Sequence, residues 1–112
     1  MIKLIEIYED QFWDVAATRR TEFESNSVKT RYKLREVFLN PEYITSMQSD
    51  SSHKIMLSSG LLIVEGDKKL NPMQRFTKIN YISGNTTKEI VVVASVEELV
   101  ERVNSGKTLL KG

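Results

Sequence analysis

Apolar residues fall in six short runs along the chain, and each run is bounded by turn-forming residues. The runs are rich in β-branched, aromatic and leucine residues, which favour strands over helices. They cover residues 2–8, 29–39, 43–48, 54–64, 75–83 and 88–94. The pattern therefore predicts five or six short strands.

The last two runs are predicted to form a hairpin. Residues 83–86 between them include Gly84 and Asn85, which tolerate the positive φ of a tight reversal. Residues 90–93 are apolar without alternation, which is typical of a strand covered on both faces. This strand is therefore expected to be central, with one face covered by the helix that follows.

A helix is predicted from about residue 96. Ser95 and Glu98 have the spacing of a capping box, in which each side chain accepts from the other's free backbone N–H. Four apolar residues then form a single stripe at i, i+3, i+4 and i+7, namely Val96, Leu99, Val100 and Val103. Gly106 is expected to end this helix in the left-handed conformation.

Other segments between the runs have turn composition. Asn40-Pro41-Glu42 predicts a turn, and residues 65–73, which include Gly66, Asp67, Asn71 and Pro72, predict a loop. Asp50–Lys54 is expected to be a polar turn between strands, and Ser58-Ser59-Gly60 a hairpin turn.

These elements predict a mainly β fold with one C-terminal helix, in the α+β class. We expect a small antiparallel β barrel or a strongly bent sheet of five to six strands, with the helix of residues 96–105 packed against it. The 112 residues, 40% of them hydrophobic, predict one domain spanning 1–112. Because short strands leave open edges, self-association into a homo-oligomer is also expected.

Composition excludes several classes of protein. The 16 Lys and Arg residues nearly balance 15 Asp and Glu residues, so the overall field does not attract nucleic acid or a membrane. The chain has no cysteine for a disulfide or a thiolate metal site. No apolar run approaches the roughly 20 residues that span a bilayer, and residues 1–6 lack a signal-peptide pattern. We expect a cytoplasmic protein.

The residues that carry catalysis in other proteins form no recognisable pattern in this sequence. His53 is the only histidine and is expected to be exposed in its polar turn. Nucleophile-elbow and phosphate-loop motifs are missing, and the acidic cluster at residues 9–14 lacks the spacing of a calcium loop. The cluster at residues 97–101 lies in the first turn of the predicted helix, where the helix dipole favours carboxylates. The sequence predicts no enzyme, no catalytic residue, no cofactor and no metal site.

Cations at alternate positions form the strongest candidate for a binding site. In a strand, Lys29, Arg31, Lys33 and Arg35 all project from one face, while Tyr32 and Leu34 face the core. Candidate anion- or nucleic-acid-binding residues are Arg19, Arg20, Lys29, Arg31, Lys33 and Arg35, which Lys68, Lys69, Arg75 and Lys78 could extend.

A solvated ladder of ion pairs is the alternative explanation for these cations. If Asn26-Ser27 is a two-residue turn, Glu24 lies opposite Lys29, Glu22 opposite Arg31 and Arg20 opposite Lys33. Such a strand face would be structural.

The aromatic pair Phe12 and Trp13 is a second candidate site. Together with Phe23, these rings could anchor a partner protein or stack on bases. Packing in the core is the alternative use of the same side chains.

Two stretches, Leu34–Ile44 and Glu89–Val100, resemble parts of the small FlbD-type flagellar and swarming proteins. Those proteins run strand, Asn-containing turn, strand, and then strand and a helix opened by Ser. The combination of Phe76–Ile79, the valine-rich strand and the ending Leu109–Gly112 is similar to short uncharacterised proteins of tailed phages. Neither resemblance implies a catalytic residue.

The leading functional hypothesis is a non-catalytic interaction or accessory protein, of phage or bacterial origin, that binds a protein partner or assembles with itself. The alternative is a nucleic-acid or polyanion binder that uses the basic strand face. A small enzyme whose carboxylates meet from distant segments is the third hypothesis.

Overall fold

A computed structural model describes residues 1–9, 30–66 and 70–111. The strands in these residues are β1 (Ile2–Glu9), β2 (Thr30–Leu39), β3 (Ile44–Asp50), β4 (Leu62–Val64), β5 (Phe76–Ser83) and β6 (Thr86–Val92). The helices are α1 (Ser51–Ser58) and α2 (Val96–Lys111), and Pro41–Tyr43 form a 3-10 turn.

All six strands belong to one sheet, in the order β3-β5-β6-β1-β2-β4. Neighbouring strands are antiparallel except β2 and β4, which are parallel. The predicted mainly β fold with a C-terminal helix is confirmed. The sheet is mixed and open, with β3 and β4 at its two edges, so the barrel form of the prediction is not realised.

The sheet is strongly bent. Four strand spacings separate β2 from β3, which is about 19 Å across a flat sheet. The chain from Leu39 to Ile44 has five residue steps and reaches at most about 18 Å. The two strands join because the sheet curls. Leu39 and Ile79 of β5 belong to one core cluster, and Ile44 of β3 packs against that cluster.

Each face of the sheet carries a hydrophobic cluster. On one face, called the α2 face, Leu4, Ile79 and Val92 pack against Leu99 of α2. On the other, called the α1 face, Ile7, Tyr32, Leu62 and Phe76 pack with side chains that include Met56 and Leu57 of α1. β6 lies inside the sheet and contributes to both clusters, which confirms its predicted central position.

The β5–β6 hairpin is confirmed. Ser83 pairs with Thr86, which leaves Gly84 and Asn85 as a two-residue loop. Gly84 has a φ of +62°, a conformation that side chains with a Cβ rarely adopt.

Residues 54–64 do not form the single strand that was predicted. The segment is mostly helix α1, and only Leu62–Val64 are extended. Asp50 caps the start of the helix by accepting from the His53 N–H. At its end, Gly60 has a φ of +73°, the Gly60 N–H donates to Leu57 O, and the Leu61 N–H donates to Met56 O. This Schellman motif ends a helix, so the hairpin turn predicted at residues 58–60 is also wrong.

Helix α2 begins where the sequence predicts. The Ser95 hydroxyl accepts from the Glu98 N–H at 3.2 Å, which is one half of the predicted capping box. The helix does not end at Gly106 but runs to Lys111. Glycine disfavours a helix interior by about 1 kcal/mol but ends a helix only when it adopts the left-handed conformation.

Candidate functional site

The four cations at alternate positions, Lys29, Arg31, Lys33 and Arg35, are called the basic strip. Its described members are Arg31, Lys33 and Arg35, which all lie in β2. Arg35 lies opposite Glu6 and Lys33 opposite Tyr8 on β1, which places these side chains on the α2 face. Tyr32 is buried on the opposite face, and Leu34 packs against the same cluster. The predicted alternation is therefore confirmed for these residues. The other candidate cations, Arg19, Arg20 and Lys29, lie outside the described residues, as do Phe12 and Trp13.

Arg35 is held by a buried carboxylate. Its Nε donates to Glu6 Oε1 at 2.7 Å, and only 7% of Glu6 is exposed. The guanidinium also lies 4.4 Å from the centre of the Tyr8 ring. The hydrogen bond from Arg35 to Glu6 and the charge of that carboxylate raise the pKa of Arg35 above its ordinary value. This geometry gives Arg35 a structural role in the sheet.

Lys33 also has a carboxylate partner, because its Nζ lies 3.6 Å from Glu65 Oε2. The hypothesis of a ladder of ion pairs is thus supported, but with other partners. On β1 the position opposite Lys33 is taken by Tyr8. The partners that the predicted hairpin assigned to these cations, Arg20, Glu22 and Glu24, lie outside the described residues. Lys78 belongs to the α1 face, where it pairs with Glu89 at 3.9 Å, so it does not extend the strip.

In the part of the chain that the structure describes, the outer edge of β2 is paired over only part of its length. β4 pairs only with residues 30–32, and the last hydrogen bond runs from the Glu65 N–H to Tyr32 O at 2.9 Å. Because backbone groups of alternate residues point to opposite sides of a strand, those of Leu34, Glu36 and Phe38 point away from β1. Among the described residues no strand pairs with these three, which we call the free edge.

A bend in the backbone follows β4, and no other described strand continues the pairing along the free edge. Glu65 and Gly66 follow the strand, and Gly66 has a φ of +104°. This conformation is open to glycine and strained for other residues. The pairing of β4 with β2 stops after three residues, just before this bend.

A groove of ≈ 620 Å³ lies beside the free edge on the α1 face. We call it the edge groove. Its apolar lining is Ile5, Leu34 and Val93, and its other lining residues are Arg35, Glu36, Glu65 and Gly66. Phe38 follows along the same strand face and is 58% exposed. Apolar surface and unpaired backbone groups therefore lie side by side.

The opposite edge of the sheet is less suited to pairing. β3 has a register irregularity between Ile44 and Ser46, and its exposed side chains, Thr45, Gln48 and Ser49, are polar. Bulges and polar side chains on an edge strand discourage the addition of another strand. The free edge of β2 has an exposed aromatic ring instead.

His53 does not lie in an exposed turn, as was predicted, but in α1 with 17% of its side chain exposed. Its Nδ1 lies 3.0 Å from Asp50 Oδ2, and its ring centre is 5.3 Å from that of Tyr32 and 5.7 Å from that of Phe76. The sequence signal that could have placed His53 in a helix is Asp50, because an Asp three residues earlier can act as the N-cap. These contacts attach the start of α1 to the sheet.

Within the described ranges, no group of three or more His, Asp or Glu side chains is arranged to hold a metal ion. The same residues include no helix long and apolar enough to cross a membrane.

Comparisons with protein-family models, curated proteins and solved structures find no match. The resemblances to FlbD-type and tailed-phage proteins therefore stay predictions.

Proposed function

We propose that this protein is a non-catalytic interaction module that binds an extended segment of a partner protein along the free edge of β2. Adding a strand to a sheet edge is a common mode of peptide recognition, in which backbone hydrogen bonds provide affinity and side-chain pockets provide specificity. The free edge of Leu34, Glu36 and Phe38 supplies the backbone groups, and the edge groove supplies the pocket.

The observation that carries the proposal is this coincidence of unpaired backbone and apolar surface. An exposed sheet edge invites pairing, and proteins usually blunt it with charge, bulges or proline. The free edge has one charged residue, Glu36, between Leu34 and the exposed Phe38. A bound strand would cover both the open backbone positions and the apolar floor of the groove.

Polyanion binding by the basic strip has less support. Arg35 and Lys33 each have a carboxylate partner, so an incoming phosphate would compete with Glu6 and Glu65. The hypothesis predicts binding to oligonucleotides that weakens steeply with salt and is lost when Arg31, Lys33 and Arg35 are changed to Ser. Salt-sensitive binding of this kind would favour the polyanion hypothesis over ours.

The proposal is tested by selecting peptides from a random displayed library on the immobilised protein and measuring their binding to variants. Glu36→Pro removes an outward N–H that the β1–β2 ladder does not use, and edge strands tolerate proline. Glu36→Gln removes the same charge but keeps the N–H. The matched control is Ser49→Pro, because the antiparallel register makes the Ser49 backbone point outward from the opposite edge.

We expect selected peptides to bind the Gln variant and the Ser49→Pro control, and to lose binding with Glu36→Pro. Two-dimensional NMR of the bound protein should show the largest amide shifts at Leu34, Glu36 and Phe38. Binding that is insensitive to Glu36→Pro, or amide shifts concentrated on β3, would contradict the proposal.

A further inference from the structure

We infer that the bound segment has apolar residues on both sides of a Lys or Arg, spaced by two, in the pattern apolar-x-basic-x-apolar. This inference rests on the proposed function, because it assigns the chemistry of the strand that the free edge takes. The inference follows from the three side chains of the free edge on the α1 face. In chain order these are apolar Leu34, acidic Glu36 and aromatic Phe38.

The period of a strand sets the spacing. Directly opposite residues of neighbouring strands point to the same face, so a strand added to β2 places alternate side chains beside Leu34, Glu36 and Phe38. The first of these positions lies over the edge groove, where Ile5 and Val93 complete an apolar floor. The last lies beside the exposed ring of Phe38. Apolar side chains suit both positions.

The middle position is acidic. Glu36 and Glu65 both line the edge groove. The carboxylate of each lies 3.6 Å from a lysine Nζ, that of Lys3 for Glu36 and that of Lys33 for Glu65. About half of each glutamate side chain is exposed. Pairs this exposed are weak, so both carboxylates can accept a further cation. The one arginine that lines the groove, Arg35, already donates to Glu6. A Lys or Arg opposite Glu36 therefore meets complementary charge.

The same carboxylate disfavours a second copy of this chain on the edge. Symmetric antiparallel pairing that uses all three free positions places Leu34 opposite Phe38, and Glu36 opposite Glu36 of the second copy. Directly opposed like charges destabilise a strand pair. A register shifted towards Tyr32 collides with β4, which occupies that position. A shift the other way places Leu34 opposite Asn40, which begins the 3-10 turn and whose carbonyl already accepts from the Tyr43 N–H. The free edge is thus better matched to a different, basic strand.

The experiment compares two peptides of about nine residues, a common strand length, built on threonine. One carries Val-Thr-Arg-Thr-Val at its centre, and the other carries Val-Thr-Glu-Thr-Val. Fluorescence anisotropy measures their binding to the full chain. We expect the arginine peptide to bind at least about ten-fold more tightly, and Glu36→Lys to reverse the preference. Glu89→Lys is the matched control, since Glu89 is also exposed on the α1 face and pairs with a lysine, but lies on β6 away from the free edge.

Equal binding of the two peptides, or a reversal by Glu89→Lys as well, would overturn the inference. If library peptides lack a basic residue but lose binding with Glu36→Pro, the inference fails and the proposed function stands. If no peptide engages the free edge, both fail. A dimer in sedimentation that dissociates with Glu36→Pro would show that a second copy occupies the edge, which also overturns the inference.

Discussion

The Glu6–Arg35 pair separates a structural role of the basic strip from a binding role. Arg35→Ala removes the guanidinium that donates to Glu6 Oε1 at 2.7 Å and leaves a carboxylate that is 7% exposed. Leaving such a buried group without its partner costs about 1–3 kcal/mol. Loss of the contact with Tyr8 adds about 0.5–1 kcal/mol. Since 57% of the Arg35 side chain is exposed, water can replace part of the hydrogen bonding, and we expect a total loss of about 1–2 kcal/mol.

Two companion variants make this expectation specific. Lys33→Ala breaks an ion pair whose two side chains are 41% and 45% exposed, and it should cost no more than about 0.5 kcal/mol. In the double variant Glu6→Leu, Arg35→Ala, an apolar side chain beside the α2-face cluster replaces the carboxylate that has lost its arginine partner. The double variant should therefore be more stable than Arg35→Ala alone.

Urea denaturation followed by circular dichroism measures all four proteins, the parent chain and the three variants. The free energies of unfolding form the comparison, provided that the denaturant slope does not change. A structural role of the Glu6–Arg35 pair is refuted if Arg35→Ala lowers the free energy of unfolding no more than Lys33→Ala does. It is also refuted if adding Glu6→Leu to Arg35→Ala restores no stability.

Substitutions at three further positions test the fold. Leu99→Ala should cost about 2–5 kcal/mol in urea denaturation, because Leu99 is fully buried between α2 and the sheet, and a loss below about 1 kcal/mol would contradict that packing. Gly84→Val should lower the thermal midpoint clearly more than Gly84→Asn, because Asn tolerates a φ near +62°, and equal effects would contradict the turn geometry. Asp50→Ala should cost about 0.5–2 kcal/mol by calorimetry while Asp50→Asn keeps most of the stability, whereas equal losses would argue against the N-cap.

Much of the sheet could be predicted because its signals are local. The β5–β6 hairpin follows from the Gly84-Asn85 loop, and the start of α2 follows from Ser95 and its apolar stripe. The alternation in β2 correctly separates Arg31, Lys33 and Arg35 from Tyr32 and Leu34. In each of these cases neighbouring residues alone determine the conformation.

Helix α1 was missed because its composition favours a strand while its ends favour a helix. Ile55, Met56 and Leu57 are consecutive apolar residues, a pattern that does not distinguish a buried strand from one side of a short helix. The deciding signals are the caps, Asp50 before the helix and Gly60 after it. Gly106 shows the reverse, since a glycine that resembles a cap lies within a helix that continues to Lys111.

The candidate site could not be predicted, because it depends on contacts between distant segments. β4 is parallel to β2 and pairs with only residues 30–32, and nothing in the local sequence indicates this partner or its register. The edge groove combines Ile5 of β1, Leu34 of β2 and Val93, which follows β6. The described partners of the basic strip are Glu6 of β1 and Glu65, which follows β4, whereas the predicted hairpin takes its carboxylates from Glu22 and Glu24.

The most direct test of the account is amide hydrogen exchange along β2, resolved by NMR in the free protein and with a bound peptide. The backbone groups of Arg35 and Val37 face β1, and those of Leu34, Glu36 and Phe38 face outward. We expect slow exchange at the first two amides and fast exchange at the other three, which become protected when the peptide binds. Protection of all five amides in the free protein, or no added protection in the complex, would contradict the claim that this edge is open and binds a strand.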